Sequence, residues 1–526
     1  MIKIGTSLNK GEKNHLKGRK PCVQQCLEKN NIPCTLGNVP NIAILGSGGG
    51  ERAMVGMLGS LSKLAELGLL DAALYMSGVS GATWCMASVY EKPNWSSDIK
   101  QIKSVVERIG HGSVSLRDQI SLLKKYHRTN ANFSLTDVWT ALVVPMVVKK
   151  IDESTLSNYQ TGQDPYPIYT IIDQDCKYEG FIHESFFELT PHEAGYTLAG
   201  AFVETSSFGS IFNKGVLREK KPEMDMTYLQ GVCGSALADK EVILKKLKEW
   251  LEIWAEELQS HDGPKILAQM LELNYCILRG EQWTQLVDEL NALLTDFSAG
   301  DPMEVKSLNF KNTKMPSQIK ADKMDKIKNL KQYFPILKSQ HAKIAFPKCV
   351  TLSWIWGTNY NFLYDMNVPQ VHQNLQESET SHFEDAGLLV NSPYMSALRA
   401  ERGIDLIISL DFSAGDPMQT VTETAKLCKE FDIPFPAINV TKCDSTSPKA
   451  FYVFKGLKKA PTVIHMPLFN IENCGSELEH YREKYGTFQL PYKPEMIEDL
   501  MEKAGENIIN NKENLLREIE SIVKQK

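Results

Sequence analysis

The sequence of 526 residues has no apolar run long enough to cross a bilayer. Its longest, Ala141 to Val148 around Pro145, falls well short of the roughly 18 to 20 residues a spanning helix needs. The basic opening MIKIGTSLNKGEKNHLKGRK lacks an apolar centre, so it does not read as a secretory signal. Eleven cysteines, an odd number, are scattered along the chain. Cys22, Cys26 and Cys34 lack the Cys-x-x-Cys spacing of a zinc site and read as ordinary thiols of a reducing compartment. A net charge of −6 excludes a global basic signature of nucleic-acid binding. The closing Val-Lys-Gln-Lys offers no cysteine for a prenyl group. These absences predict a soluble or peripheral protein with no transmembrane segment and no nucleic-acid partner.

What is present is a large apolar fraction, 42%, and one organising stretch from Asn41 to Trp84. It reads as an apolar strand (Ile42 to Leu45), a glycine turn (Gly46, Gly48, Gly49, Gly50), a helix halted at Gly68, a second strand (Ala72 to Met76) and a sharp turn carrying Ser80. Neighbouring strands of one such unit place their corners at the same sheet edge. The first corner presents backbone N–H groups at a helix N-terminus, which suits an anion or a developing oxyanion. The second resembles a nucleophile elbow, with Gly78-Val79-Ser80-Gly81-Ala82 keeping small residues around the serine.

Residues 1–40 read as a basic N-terminal arm with a short helix from Pro21 to Asn30, either solvated or attracted to a membrane. Residues 97–150 read as helical. The aromatic stretch from Pro165 to Phe212 reads as short strands and loops near a site mouth, its rings core more than ligand-facing. From Asp239 to Thr295 Leu244, Leu247, Leu251, Trp254 and Leu258 recur on one helical face, which packs on the core or meets lipid. Lysines dominate from Lys306 to Lys348 and would favour anionic headgroups. Strands are expected at Cys349 to Ile355, Ile404 to Asp411 and Thr462 to Met466, with a helix at Thr422 to Phe431 and further helices after Pro494. This alternation favours a mainly parallel sheet covered by helices. The octapeptide DFSAGDPM occurs at Asp296 to Met303 and again at Asp411 to Met418; with unmatched flanks it marks no repeat architecture.

GSGGGERAM lacks the Lys-Ser/Thr of a phosphate-binding P-loop, and Glu51 stands where the last glycine of G-x-G-x-x-G would be. An oxyanion hole built from the N–H groups of Gly49 and Gly50 accounts better for consecutive glycines. Arg52, in the first helical turn beyond, could hold a phosphate bidentately. A serine nucleophile also needs a base. From residue types alone, a triad of Ser80, Asp385 and His465 or His480 is available.

In order along the chain, GSGGG-x-RAM, GVSGATW, the Asp-Ala-Gly turn, the NSPY segment and DLIISLDFSAGDP together resemble the cytosolic phospholipase A2 (group IV) family. The resemblance covers nearly the whole chain. It implies a patatin-like α/β hydrolase core over residues 41–526, a single catalytic domain with a helical and lysine-rich insertion at about 239–348. It further implies a serine-aspartate dyad without histidine: Ser80 the nucleophile, Asp385 its base, Gly49 and Gly50 the oxyanion hole, and Arg52 on the lipid phosphate. Arg402, at a matching spacing beyond Asp385, is a second candidate for the phosphate.

The activity so implied is hydrolysis of fatty acyl esters of glycerophospholipids and lysophospholipids through an acyl-enzyme, with transacylation when a lysophospholipid replaces water. No cofactor and no metal are called for. Without a calcium-binding C2 module or a prenylated cysteine, activity is expected to be calcium-independent and attachment to intracellular membranes weak, peripheral and reversible, from the cytoplasm. The competing readings are a Ser-His-Asp esterase, a catalytically silent lipid-binding scaffold, and a nucleotide-binding enzyme.

Overall fold

The structure, a computed structural model, describes residues 2–159, 162–237, 356–487 and 491–526, with a few positions between 269 and 292. The expected insertion with its apolar stripe and lysine-rich stretch, the strand at Cys349 to Ile355 and the first DFSAGDPM copy lie outside the described residues.

The strands are β1 (Lys3–Ile4), β2 (Ile42–Gly46), β3 (Tyr75–Gly78), β4 (Tyr166–Asp173), β5 (Phe186–Leu189), β6 (Glu193–Tyr196), β7 (Ala201–Glu204), β8 (Ile211–Asn213), β9 (Val216–Glu219), β10 (Thr358–Tyr360), β11 (Thr380–Asp385), β12 (Leu406–Asp411), β13 (Tyr452–Phe454) and β14 (Thr462–Pro467). Twelve join one sheet in the order β1-β7-β6-β5-β4-β3-β2-β12-β14-β13, with β11 on β4 and β10 on β11; β8 and β9 form a separate hairpin. The adjacent strands β4, β3, β2, β12 and β14 run parallel. Their near-continuous apolar runs are wholly buried, as strands covered on both faces must be. The expected parallel sheet is therefore the centre of a mixed one. The aromatic stretch beyond Pro165 supplies its antiparallel flank, with Tyr166, Tyr169, Phe187 and Tyr196 in the core.

Helix α1 (Lys10–Lys29) precedes β2, and α2 (Glu51–Glu66) crosses between β2 and β3. α2 stops in a Schellman motif: Gly68 takes φ +67°, its N–H donates to Ala65 O, and Leu69 N–H donates to Leu64 O. After β3 the chain enters α3 (Gly81–Val89) directly.

The amino-terminal segment corrects the expectation of an arm. β1 extends the sheet on β7, and α1 buries Glu12 and Arg19. Arg19 donates to Ala73 O at 2.7 Å and pairs with Asp71 at 3.2 Å. The helix runs through Pro21, and only its outer lysines account for the basic reading.

By internal contacts the chain forms two compact units. The first comprises Met1–Ser115, Val144–Leu237 and Trp356–Lys526, and holds the sheet and every candidate site residue. The second comprises Leu116–Val143 and Ala238–Ile355; its described part includes helices Leu116–Thr129 and Leu135–Leu142, the latter opened by a Ser134/Asp137 capping box. Among the described residues no helix is long and apolar enough to cross a membrane.

Candidate active site

The site begins with two corners side by side. Gly46 at the end of β2 pairs with Gly78 at the end of β3, so both turns leave the sheet at one edge. Gly50 takes φ +62° and ψ −138°, a conformation open to glycine and costly for other residues, and there α2 begins. Ser80 takes φ +53° and ψ −126°, the strained geometry of an elbow, and is 4% exposed. Its carbonyl accepts from Thr83 in the first turn of α3. A Cβ on Gly81 would lie 1.8 Å from Gly50 O, so glycine alone allows the two corners to touch through backbone. The N–H groups of Gly49 and Gly50 find no acceptor among the described residues.

Sheet topology brings Asp385 to this edge. β5 occupies one side of β4 opposite residues 169–172, so β11, facing residues 171–173, shares the other side with β3. β3 ends at Gly78 opposite Tyr169, and β11 ends at Asp385 opposite Ile171. Two strand positions separate them, about 7 Å. The serine turns off one strand end and the aspartate off the other.

Asp385 is fully buried. Burial pushes its carboxyl up to about 7, against the donors that favour its charge: Gly387 N–H, the Ser80 hydroxyl and Ala236 N–H. Gly387 donates to Oδ1 at 2.8 Å and Ala236 to Oδ2 at 3.2 Å, while the Asp385 amide donates to Ser235 Oγ at 2.9 Å. Proton affinity is thereby raised toward neutrality.

Among the described residues neither histidine hydrogen-bonds this carboxyl. His465 is buried on β14 with Nε2 against Pro417 O at 2.7 Å, and His480 is exposed beside Tyr481.

The arginines part company. Arg52 stands beside the glycine loop, its Nη2 2.8 Å from where a Gly49 Cβ would be. It is 1% exposed and donates to Phe412 O at 2.7 Å, Tyr485 O at 2.6 Å and Thr487 Oγ1 at 3.1 Å. Arg402 is not at the site. It precedes β12, at the opposite end of the parallel strands, with its guanidinium sealed between Glu12 (3.0 Å) and Glu188 (2.7 Å). The expectation of a phosphate contact there is corrected: every donor edge is already committed, including one to Ser396 O.

Residues that sequence reasoning passed over complete the site. Ser235, Ala236 and Gly387 hold Asp385 through backbone or hydroxyl groups, and Asn391, in the NSPY segment, grips Gly48. Among the described residues no cluster of His, Cys, Asp or Glu is arranged to hold a metal.

Residues 42–246 match the family described as lysophospholipase catalytic domain. The chain is 34% identical to cytosolic phospholipase A2 gamma of Mus musculus, over 98% of this chain and 92% of that one. It is 33% identical to the gamma form of Homo sapiens, over 99% and 96%, and 30% identical to the zeta form of Mus musculus, over 98% and 61%. FELTPHEAG and WIWGTNYNFLY in this sequence resemble the gamma form as well. Among solved structures, human GIVD cytosolic phospholipase A2 superposes with a TM-score of 0.69 at 20% identity, covering 100% of this chain and 68% of that one. The same human protein bound to methyl gamma-linolenyl fluorophosphonate gives 0.64 at 21% identity, over 99% and 66%. At these identities the structural likeness establishes the patatin-like catalytic fold.

Proposed function

The chain belongs to the cytosolic phospholipase A2 family and is a hydrolase of the phospholipase A2/lysophospholipase type, and from that premise we propose that it works through a Ser80–Asp385 dyad. The observation that carries the reading is Asp385 itself: a buried carboxyl, raised to about 7, next to the Ser80 hydroxyl on a strained elbow.

Ser80 Oγ attacks the ester carbonyl as its proton passes to the ionised Asp385. A carboxylate is a weak base toward an alcohol, so transfer is coupled to attack, and burial of Asp385 raises its proton affinity in the needed direction. The new C–O bond leaves negative charge on the former carbonyl oxygen, which the free N–H groups of Gly49 and Gly50 stabilise. Collapse breaks the bond to the glycerol oxygen, which takes the proton from Asp385 and departs as lysophospholipid. Water then loses a proton to Asp385 and attacks the acyl-Ser80 ester; fatty acid leaves and Ser80 recovers its proton. A lysophospholipid hydroxyl in place of water gives transacylation by the same route.

Arg52 engages the substrate phosphate after release of its Thr487 contact. The site chemistry relies on side chains and backbone amides of this chain, and the activity is independent of calcium. The protein works from the cytoplasm, attached peripherally and reversibly to intracellular membranes. Mass-spectrometric product analysis with mixed-acyl phosphatidylcholine and with lysophosphatidylcholine, with and without a calcium chelator, tests the reading. Wild type releases fatty acid under both conditions and Ser80→Ala releases none; equal release by a folded Ser80→Ala protein would overturn it.

A further inference from the structure

The amide donors of the glycine loop have no side chains to fix them. Gly48 and Gly49 flank one peptide plane, and with glycine on either side that plane has little intrinsic resistance to turning over. The plane carries Gly48 C=O on one edge and Gly49 N–H on the other, directed oppositely because the unit is planar and trans. Whatever grips the carbonyl therefore aims the N–H. A flipped plane would present a carbonyl oxygen to the developing oxyanion, reversing stabilisation into repulsion.

One residue grips this loop on both sides. Asn391 Nδ2 donates to Gly48 O at 3.1 Å, and Asn391 O accepts from Gly48 N–H at 3.0 Å. The same Nδ2 donates to Ser413 Oγ at 2.8 Å, whose hydroxyl donates to Asp411 Oδ1 at 2.7 Å. This chain orients the amide, because Ser413 has given its own proton to Asp411 and only an N–H can approach it. Asn391 Oδ1 lies 2.3 Å from where a Gly48 Cβ would be and 2.9 Å from where a Gly387 Cβ would be, so the side chain occupies the space between the oxyanion loop and the Asp385 turn. A Cβ on Gly48 would also come within 2.9 Å of Ser80 Cβ.

We propose that Asn391 is a positioning residue of the oxyanion hole: by holding Gly48 O it fixes the 48–49 peptide so that Gly49 N–H faces the tetrahedral intermediate, with Ser413 and Asp411 locking its amide. This rests on the Ser80 acyl-transfer reading. It acts on the transition state through Gly49, so its loss lowers kcat and spares KM.

The test uses the full chain with a soluble p-nitrophenyl ester for steady-state kinetics and a long-chain fluorophosphonate for covalent labelling. Asn391→Ala is expected to lose about 10²-fold in kcat, the scale of one misdirected oxyanion donor. Its KM stays within about threefold and its labelling slows in parallel. Asn391→Asp, isosteric but unable to donate to Gly48 O, gives the same split. Ser413→Ala keeps the Gly48 bond and frees only the amide's far side, so it loses less. If Asn391→Ala fails to fold, Asn391→Asp and Ser413→Ala decide by the same measure. Unchanged kcat in a folded Asn391 variant, or a rise in KM that accounts for the whole loss, overturns the inference while leaving Ser80 in place. Absence of labelling in wild type strikes instead at Ser80, and the inference falls with it.

Discussion

The Ser80 hydroxyl stands beside the Asp385 carboxylate because β3 and β11 lie along one edge of β4 with their C-terminal ends facing each other. Among the described residues neither group hydrogen-bonds a histidine. Asp385→Asn, which keeps shape and loses the base, should lower kcat about 10²- to 10⁴-fold, the range of general-base contributions. His480→Ala and His465→Asn should retain most activity per folded enzyme. Fluorophosphonate labelling and fatty-acid release measure all three; a histidine variant as inactive as Asp385→Asn, while folded, would replace the dyad with a triad.

A pH profile follows from the burial of Asp385. The carboxylate must be ionised to take the serine proton, and burial raises its pKa to about 7, so kcat/KM climbs with pH and levels off above that value. An ordinary exposed aspartate would put this limb near ~4. Carboxyl ionisation is almost athermal whereas imidazole ionisation is not, so the limb should hardly shift with temperature. Measuring the acid limb at two temperatures distinguishes the two bases; a marked downward shift on warming would indicate histidine.

The sequence carried the site's local half. The corners at Gly49–Gly50 and at Ser80 are written in contiguous glycines and small residues after apolar runs, and β2, β3, α2 and its stop at Gly68 follow nearly as expected. Residue types offered Asp385 only as one member of a triad, and its part in a dyad came from the family motif, since no local pattern says that β11 abuts β3 along β4. Its donors Ala236 and Gly387 act through main-chain N–H groups, which leave no mark in residue type. The amino-terminal segment misled for a different reason: its exposed lysines outnumber the two buried charges, Glu12 and Arg19, that dock it. Arg402 misled because spacing along the chain does not reveal which sheet end a residue occupies.

Glu51 provides a stability test that leaves the dyad untouched. This first residue of α2 is 1% exposed, accepts from Tyr492 N–H at 2.7 Å, and is pushed up to about 7 by burial. A raised carboxyl pKa means the folded state holds the proton more tightly than the unfolded chain. The advantage is whole below the unfolded value and is lost as pH rises through about 7. Glu51→Gln keeps an acceptor for Tyr492 and never ionises. The melting temperature of the variant relative to wild type should therefore rise between pH 5 and pH 8, about where the wild-type group ionises. A difference that stays flat across that interval would mean Glu51 is already ionised in the fold.

The two arginines should fail in different ways. Removing Arg402 leaves buried Glu12 without its ion-pair partner and Glu188 with Arg399 alone (2.8 Å), so Arg402→Met should destabilise the fold by about 3 to 5 kcal/mol. Being at the far end of the strands, it should leave the ranking of phospholipid headgroups unchanged in whatever fraction remains folded. Arg52 ties the glycine loop's surroundings to Phe412, Tyr485 and Thr487. Arg52→Lys keeps the charge but not the fork, and should raise KM for phospholipids more than for an uncharged p-nitrophenyl ester. Thermal melts and headgroup-resolved product analysis read both variants together. A changed headgroup ranking in a fully stable Arg402→Met protein would return Arg402 to the substrate, since only direct contact, and no weakening of the fold, could produce it.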